Sequence, residues 1–296
     1  MIAFAGRCLR VWSRDRTAIF FSLFGPLILL VLYIAFFGKM NVDSLMEGAA
    51  DYGGGEWMTR SAATGFVASW VGAALIAVAT INGPMVGLNL LVDDRVSGRM
   101  TDFLVAPLRQ RSLMGGYLLA TWVYTMAIVL VVAVVGVAGG LVLGARLPGP
   151  GGWLTLLVLT ALGSLVYSAI YLLLSVGLRT QAAAGGVATV IGTLSGFLAG
   201  AYIPPGVLGT GMITGMNLMP FAPNAVVARQ ALAGPGLEDL PVPAEQITFM
   251  RNFYGMDLEV GGSIWPNWTP YAIMAAWGLV AFVLAIKVSS KLRQPA

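Results

Sequence analysis

The chain alternates long uncharged apolar runs with short clusters of charge. Six runs are long enough to cross about 30 Å of hydrocarbon at about 1.5 Å per helical residue. They are Thr17–Gly38, Ala62–Val92, Leu113–Ala145, Trp153–Leu178, Ala182–Ile203 and Pro270–Ile286, and none contains Asp, Glu, Lys or Arg. Each predicts a membrane-spanning helix. Ahead of the first run the pattern is amphipathic: at about 100° per residue, Ile2, Phe4, Ala5, Cys8, Leu9, Val11 and Trp12 share one face, and Arg7, Arg10 and Arg14 form a stripe on the other. Residues 1–16 therefore predict an interfacial helix lying on a leaflet, with Arg16 marking the turn into the bilayer. The basic start and apolar run are too long for a cleaved leader, so a retained anchor is expected.

Two further segments break the rhythm of spans. In Asp94–Leu104, Val96, Met100, Phe103 and Leu104 follow helical spacing, while Asp94, Arg95, Gly98, Arg99, Thr101 and Asp102 take the opposite arc. A short helix over 94–106 is expected, stopped by Pro107. Between 204 and 269, apolar pieces are interrupted by Pro204, Pro205, Pro220, Pro223 and Pro235, and each is too short to span alone. Re-entrant half-helices fit Gly206–Met219 and Phe221–Ala233 if their ends are buried in protein. The more polar Ala244–Gly255 is expected on the outer surface.

Composition sharpens this picture. Hydrophobic residues make up 58% of the 296 and charged ones 10%, against about 25% charged in soluble domains, so the expected fold is an all-α integral membrane protein. No histidine and a single cysteine remove the usual ligands for metal and haem and the usual general base, so no metal site or catalytic residue is expected. Twelve of the seventeen Lys and Arg fall on one side of the spans, whereas Lys39, Arg60, Arg146, Arg229 and Arg251 fall on the other with nine of thirteen acidic residues. The positive-inside rule then puts both termini in the cytoplasm. The net charge of +4 is a topology signal rather than a nucleic-acid footprint, and no nucleic-acid partner is expected.

The order of interfacial helix, two spans, cytoplasmic amphipathic helix, three spans, proline-broken outer hairpin and last span resembles the membrane subunits of ABC-2-type exporters. Two blocks carry the likeness. DRVSGRMTDFLVAPLRQRSLMGGY, Asp94 to Tyr117, is similar to the family's Asp-Arg, glycine, paired apolar residues and proline with basic residues. GFLAGAYIPP, Gly196 to Pro205, with LMPFAPNAVVARQAL, is similar to its exit-side hairpin. Thr101 stands where many relatives carry Glu and Tyr117 where many carry Lys, so the acidic contact toward a partner is expected from Asp102.

The resemblance implies one ABC-2 transmembrane domain over 1–296, pairing with a second copy or a paralogue in a bacterial inner, or plasma, membrane. Each permease would dock a separate ATPase through Asp94, Arg95, Val96, Gly98, Arg99, Met100, Asp102 and Phe103, before Pro107. No Gly-x-x-x-x-Gly-Lys-Ser/Thr occurs, so ATP and Mg are expected in the partner ATPase and no cofactor in this chain. The series Gly136, Gly140, Gly144 and Gly192, Gly196, Gly200 permit close helix approach; the second belongs either to the dimer contact, as the family implies, or to packing within the chain. The polar stripe Thr160, Ser164, Tyr167, Ser168, Tyr171 and Ser175 either bonds to neighbouring spans or lines a route for an amphipathic substrate. Uncharged spans disfavour an ionic cargo and suit drugs, antibiotics or lipid-like molecules. Two rival classes remain: a membrane enzyme on a lipid-linked substrate, whose only acidic candidates are Asp93, Asp94 and Asp102, and an accessory subunit without a path.

Overall fold

Asp15 makes the first corner. It ends α1 (Ile2–Arg14), and its carboxylate accepts the Ala18 amide at 2.9 Å, capping α2 (Arg16–Leu32). The two axes meet at 77°. The computed structural model describes residues 1–33, 38–51, 58–105, 110–240 and 243–291.

The chain continues through α3 (Gly38–Asp51), α4 (Arg60–Asn82), α5 (Met85–Val96), α6 (Arg99–Val105), α7 (Gln110–Val142), α8 (Pro150–Gly177) and α9 (Gln181–Leu198). A 3-10 turn at Pro205–Val207 then leads into α10 (Thr210–Leu218), α11 (Phe221–Leu232), α12 (Gly234–Glu238) and α13 (Ala244–Phe253). Strands β1 (Glu259–Val260) and β2 (Ser263–Ile264) form an antiparallel hairpin before α14 (Thr269–Lys291). Among the described residues, 60–96, 110–142, 150–177, 181–198 and 269–289 are long and apolar enough to cross a membrane; α2 reaches that measure only when counted with α1, from which it is bent by 77°.

Four details depart from the sequence pattern. The second span breaks at Gly83-Pro84 and runs on to Val96, so Asp94, Arg95 and Val96 end a span helix instead of opening a cytoplasmic one. The fifth span stops at Leu198, short of Ile203, because Gly200 takes φ +61, a left-handed terminator. Helix α3 has no strong apolar stripe and was not expected. The β-hairpin turns through Gly261 and Gly262, both at positive φ, so the fold is helical with one small strand pair.

Helix α4 is the centre, packed on α7, α11, α2 and α8. Glycines set its contact with α7 and the turn that follows it: a Cβ on Gly65 would lie 2.4 Å from the carbonyl oxygen of Gly144, in that turn, and one on Gly72 3.5 Å from that of Gly136. Backbone thus meets backbone, as in small-residue membrane interfaces. Just beyond, a Cβ on Gly87 of α5 would strike the Thr121 hydroxyl at 2.1 Å. The outer faces of α2, α7 and α14 present Phe21, Val31, Val134, Val142 and Leu279, an apolar exterior that suits hydrocarbon and not water.

Charges sort to two ends. Arg7, Asp93, Asp94, Arg95 and Arg99 cluster at one, and the pairs Arg60–Asp43, Arg146–Asp239 and Arg251–Asp257 lie among the residues expected at the other. Arg229, counted with the charges of that side, lies inside the fold. It is fully buried and donates from Nη2 to the Ala199 and Gly200 carbonyls, each at 2.7 Å, and from Nη1 to Gly255 at 3.2 Å, with its guanidinium over the Trp70 ring. A cation there meets the negative end of α9 and ties the outer hairpin to α4 and α9.

Candidate coupling site

The junction of α5 and α6 is built around one buried carboxylate. Asp94 has no exposed surface and accepts three donors: Arg7 Nη1 at 2.6 Å, Arg7 Nη2 at 2.9 Å and the Tyr117 hydroxyl at 2.7 Å. Arg99 Nη1 lies 3.5 Å away. A carboxylate removed from water needs such saturation to remain charged. The fork of Arg7 supplies planar bidentate geometry, and the bond to Asp94 raises the Arg7 pKa above its ordinary range. Four elements, α1, α5, α6 and α7, thus share one polar knot.

Aromatic packing surrounds it. Phe4 stands edge-on to Phe103, with centroids 5.1 Å apart, and to Tyr117 at 4.8 Å. The Arg7 guanidinium sits 5.0 Å from the Phe103 centroid. Helix α1 reaches α7 this closely because residues 115 and 116 are glycines: a Cβ on Gly116 would fall 2.7 Å from the Phe4 ring. The Gly-Gly of the MGGY block is therefore the seat of α1.

This placement corrects three expectations. Arg7 leaves the solvent stripe of α1 for the knot, while Arg10 and Arg14 remain exposed. The apolar face of α1 packs on α7, burying Ala5, Cys8 and Trp12, with Trp12 tilted against Tyr124 at 5.1 Å. The supposed continuous helix over 94–106 is two helices joined at Ser97-Gly98, where Gly98 has φ +80. Periodicity carried through that joint hid it, and the glycine was its only sequence mark.

The joint redistributes the side chains. Arg95 turns inward and donates to the Val176 carbonyl at 3.1 Å and to those of Ser175 and Leu178, capping the end of α8. Phe103 packs on α1, Met100 is half-buried and Val96 is exposed. Arg99 pairs with Asp93 at 2.6 Å, yet both stay near half exposed, and Asp102 and Thr101 face outward. Pro107 lies outside the described residues, as does the side chain of Leu104. What α6 offers at its surface is thus Arg99, Thr101 and Asp102 on a rigid base.

The remaining candidates lie elsewhere. Ser164, Tyr167, Ser168 and Tyr171 are all buried within the chain, where Tyr167 donates to the Pro220 carbonyl at 2.7 Å. Gly196 accommodates the Tyr202 ring, 2.2 Å from a built Cβ, and Gly200 ends α9 beside Pro205 and Arg229; Gly192 has only the Met85 methyl at 3.6 Å. The outward face of α9 is carried instead by Gly186, Val190, Leu194 and Phe197. Pro204 precedes the 3-10 turn that Pro205 opens, Pro220 precedes α11, and Pro223 sits in its first turn, where a missing amide costs nothing. Sequence reading missed Arg7 as the partner of Asp94, the inward turn of Arg95 and the burial of Arg229, because each depends on contacts between distant segments.

The buried carboxylate is saturated by Arg7 and Tyr117, and no group of three or more potential metal ligands occurs among the described residues. No curated protein matches the chain. The sequence pattern of the family described as ABC-2 family transporter protein matches residues 56–287, from α4 through most of α14. With that match over most of its length and its set of apolar helices, this chain belongs to the ABC-2 transporter family and is a membrane component of transport rather than an enzyme.

Proposed function

We propose that the chain is the permease of an ATP-binding-cassette exporter that moves a hydrophobic or amphipathic molecule across the plasma membrane. Two permeases, identical or paralogous, pair, and each docks a separate ATPase subunit that binds ATP with Mg. Both termini face the cytoplasm, in keeping with the bias of Lys and Arg. Closure of the ATPases pushes α6, and the push reaches the spans through α1, α5 and α7. Such a push moves the equilibrium only if the ATPase binds the inward and outward states with different affinity.

The observation that carries this reading is the knot at Asp94. It leaves Arg99 and Asp102 exposed on a short helix while holding that helix to three others. A surface meant only for solvent needs no such clamp. The pairing of permeases is assigned to the outward face of α9, whose Gly186, Val190, Leu194 and Phe197 offer a small-and-apolar surface. The uncharged spans favour an apolar cargo.

Affinity pull-down of the co-expressed ATPase subunit tests the docking. Arg99→Glu and Asp102→Arg, each checked for normal membrane insertion, are expected to weaken retention at low salt. If both variants keep the ATPase as wild type does and still support transport, α6 is not the docking element.

A further inference from the structure

A groove of about 500 Å³ runs between α2, α3, α4 and α7 on the side of the protein that carries Lys39 and Arg60. Its wall is almost wholly apolar, with Tyr33, Val67, Val71 and Leu143 among its residues, and its floor on α7 is glycine: Gly136, Gly139 and Gly140. A smaller apolar recess of about 60 Å³, lined by Leu23, Pro26, Leu27 and Val131, continues it, because Leu30 and Leu75 line both. Together they make one slot along α2 from Tyr33 down to Leu23. Ten helical residues at about 1.5 Å each give about 15 Å, half of the roughly 30 Å hydrocarbon core. That is the depth of one leaflet.

The polar features all lie at one end. Lys39 stands on the first turn of α3 and makes no ion pair among the described residues, while Arg60 opens α4 and pairs with Asp43 at 2.7 Å. Lys39, Arg60 and Asp43 sum to one positive charge at the mouth of an apolar slot one leaflet deep. We infer that this slot binds an acyl chain of an anionic phospholipid, with the lipid phosphate at Lys39 and Arg60. Van der Waals packing of the chain against the slot supplies affinity, and the cations supply preference for a negative headgroup. On the floor, Gly139 faces the open slot, since a Cβ there would meet nothing within 4 Å, while Gly136 packs on Gly72.

The test uses the purified full chain, stripped of lipid in detergent and titrated with phosphatidylglycerol or phosphatidylcholine of the same acyl chains, with bound lipid counted by native mass spectrometry. Wild type is expected to hold one phosphatidylglycerol about tenfold more tightly than phosphatidylcholine. Gly139→Leu fills the floor with a better helix former, and Leu27→Trp fills the recess from a partly exposed position; each is expected to lose the tight site for both lipids while keeping its melting temperature. Lys39→Gln is expected to keep phosphatidylcholine and lose the tenfold preference. Wild-type binding by both filling variants overturns the slot, and equal binding of the two lipids by wild type overturns the headgroup assignment. The assay needs neither ATPase nor cargo, so its failure leaves the transport reading standing.

Discussion

Arg7 and Asp94, 87 positions apart, meet in a two-pronged ion pair with contacts of 2.6 and 2.9 Å, and the Tyr117 hydroxyl completes the carboxylate's shell at 2.7 Å. Removing Arg7 strands the buried Asp94 carboxylate, which costs about 3–5 kcal/mol, whereas Arg7 itself is partly exposed and loses less when Asp94 goes. Arg7→Ala and Asp94→Asn are each expected to lower the melting temperature of the detergent-purified chain. Arg7→Gln combined with Asp94→Asn is expected to recover part of the loss, because neutral amides can pair where a lone charge cannot. Additive damage in the double variant would show that the two residues do not act as a pair.

Cys8 reports on the seating of α1. It is fully buried, and burial pushes its thiol up to about 11, so the thiolate is scarce near neutral pH. Only the thiolate reacts, so alkylation in the folded chain is expected to be slow from either side of the membrane and to quicken as pH rises toward 11. Arg7→Ala, which frees α1, is expected to speed it at constant pH. Fast labelling of wild type at neutral pH contradicts the packing of α1 on α7.

Phe103 and Asp102 are neighbours with separate tasks. Phe103→Ala removes an edge-on contact to Phe4, worth about 0.5–1.5 kcal/mol beyond its burial, and is expected to loosen α1 and raise Cys8 alkylation. Asp102→Arg touches neither and is expected to leave alkylation unchanged while weakening ATPase retention in a salt-dependent way. Pull-down at low and high salt, run beside the alkylation rates, separates the two. Identical effects in both assays would refute the division.

Gly65 tests the contact between α4 and α7. Alanine there would press on the Gly144 carbonyl at 2.4 Å and is expected to cost about 1–3 kcal/mol. Gly139→Ala meets nothing and is expected to be neutral or to gain up to about 1 kcal/mol of helix propensity. Thermal unfolding of both variants decides it; equal melting temperatures would remove the close approach.

Much of the architecture was legible because a bilayer leaves few options. An uncharged run of about 20 residues has to span, and five of the six runs lie in span-length helices, while the first gives α2, which reaches that length only together with α1. Where the ends moved, a glycine moved them: Gly98 split the segment expected as one helix, and Gly200 stopped α9 early. The site was legible only in part. Periodicity marked Phe103 as buried and Asp102 as exposed, but it could not say that the neighbour of Phe103 is Phe4 of the same chain. Arg7 looked like a solvated charge because its spacing matched Arg10 and Arg14, and nothing local distinguishes an arginine that meets a carboxylate 87 residues later. The burial of Arg229 was hidden for the same reason, since the carbonyls that hold it come from the end of α9 and from Gly255.

The glycine seam between α4 and α7 also restricts how the protein can move. Sliding α4 by one turn, about 5.4 Å, would bring Ser69 and Ile76, or in the other direction Ser61 and Ala68, to the places where Gly65 and Gly72 face Gly144 and Gly136. At the Gly65 place either serine carries a side chain where none fits, because a Cβ there lies 2.4 Å from the Gly144 carbonyl oxygen. Shear is therefore blocked at this seam, and the two helices travel as one keyed bar. Any rocking between inward and outward access has to be taken up at joints on either side of it: the Asp15 corner, the Gly83-Pro84 break and the Gly98 link.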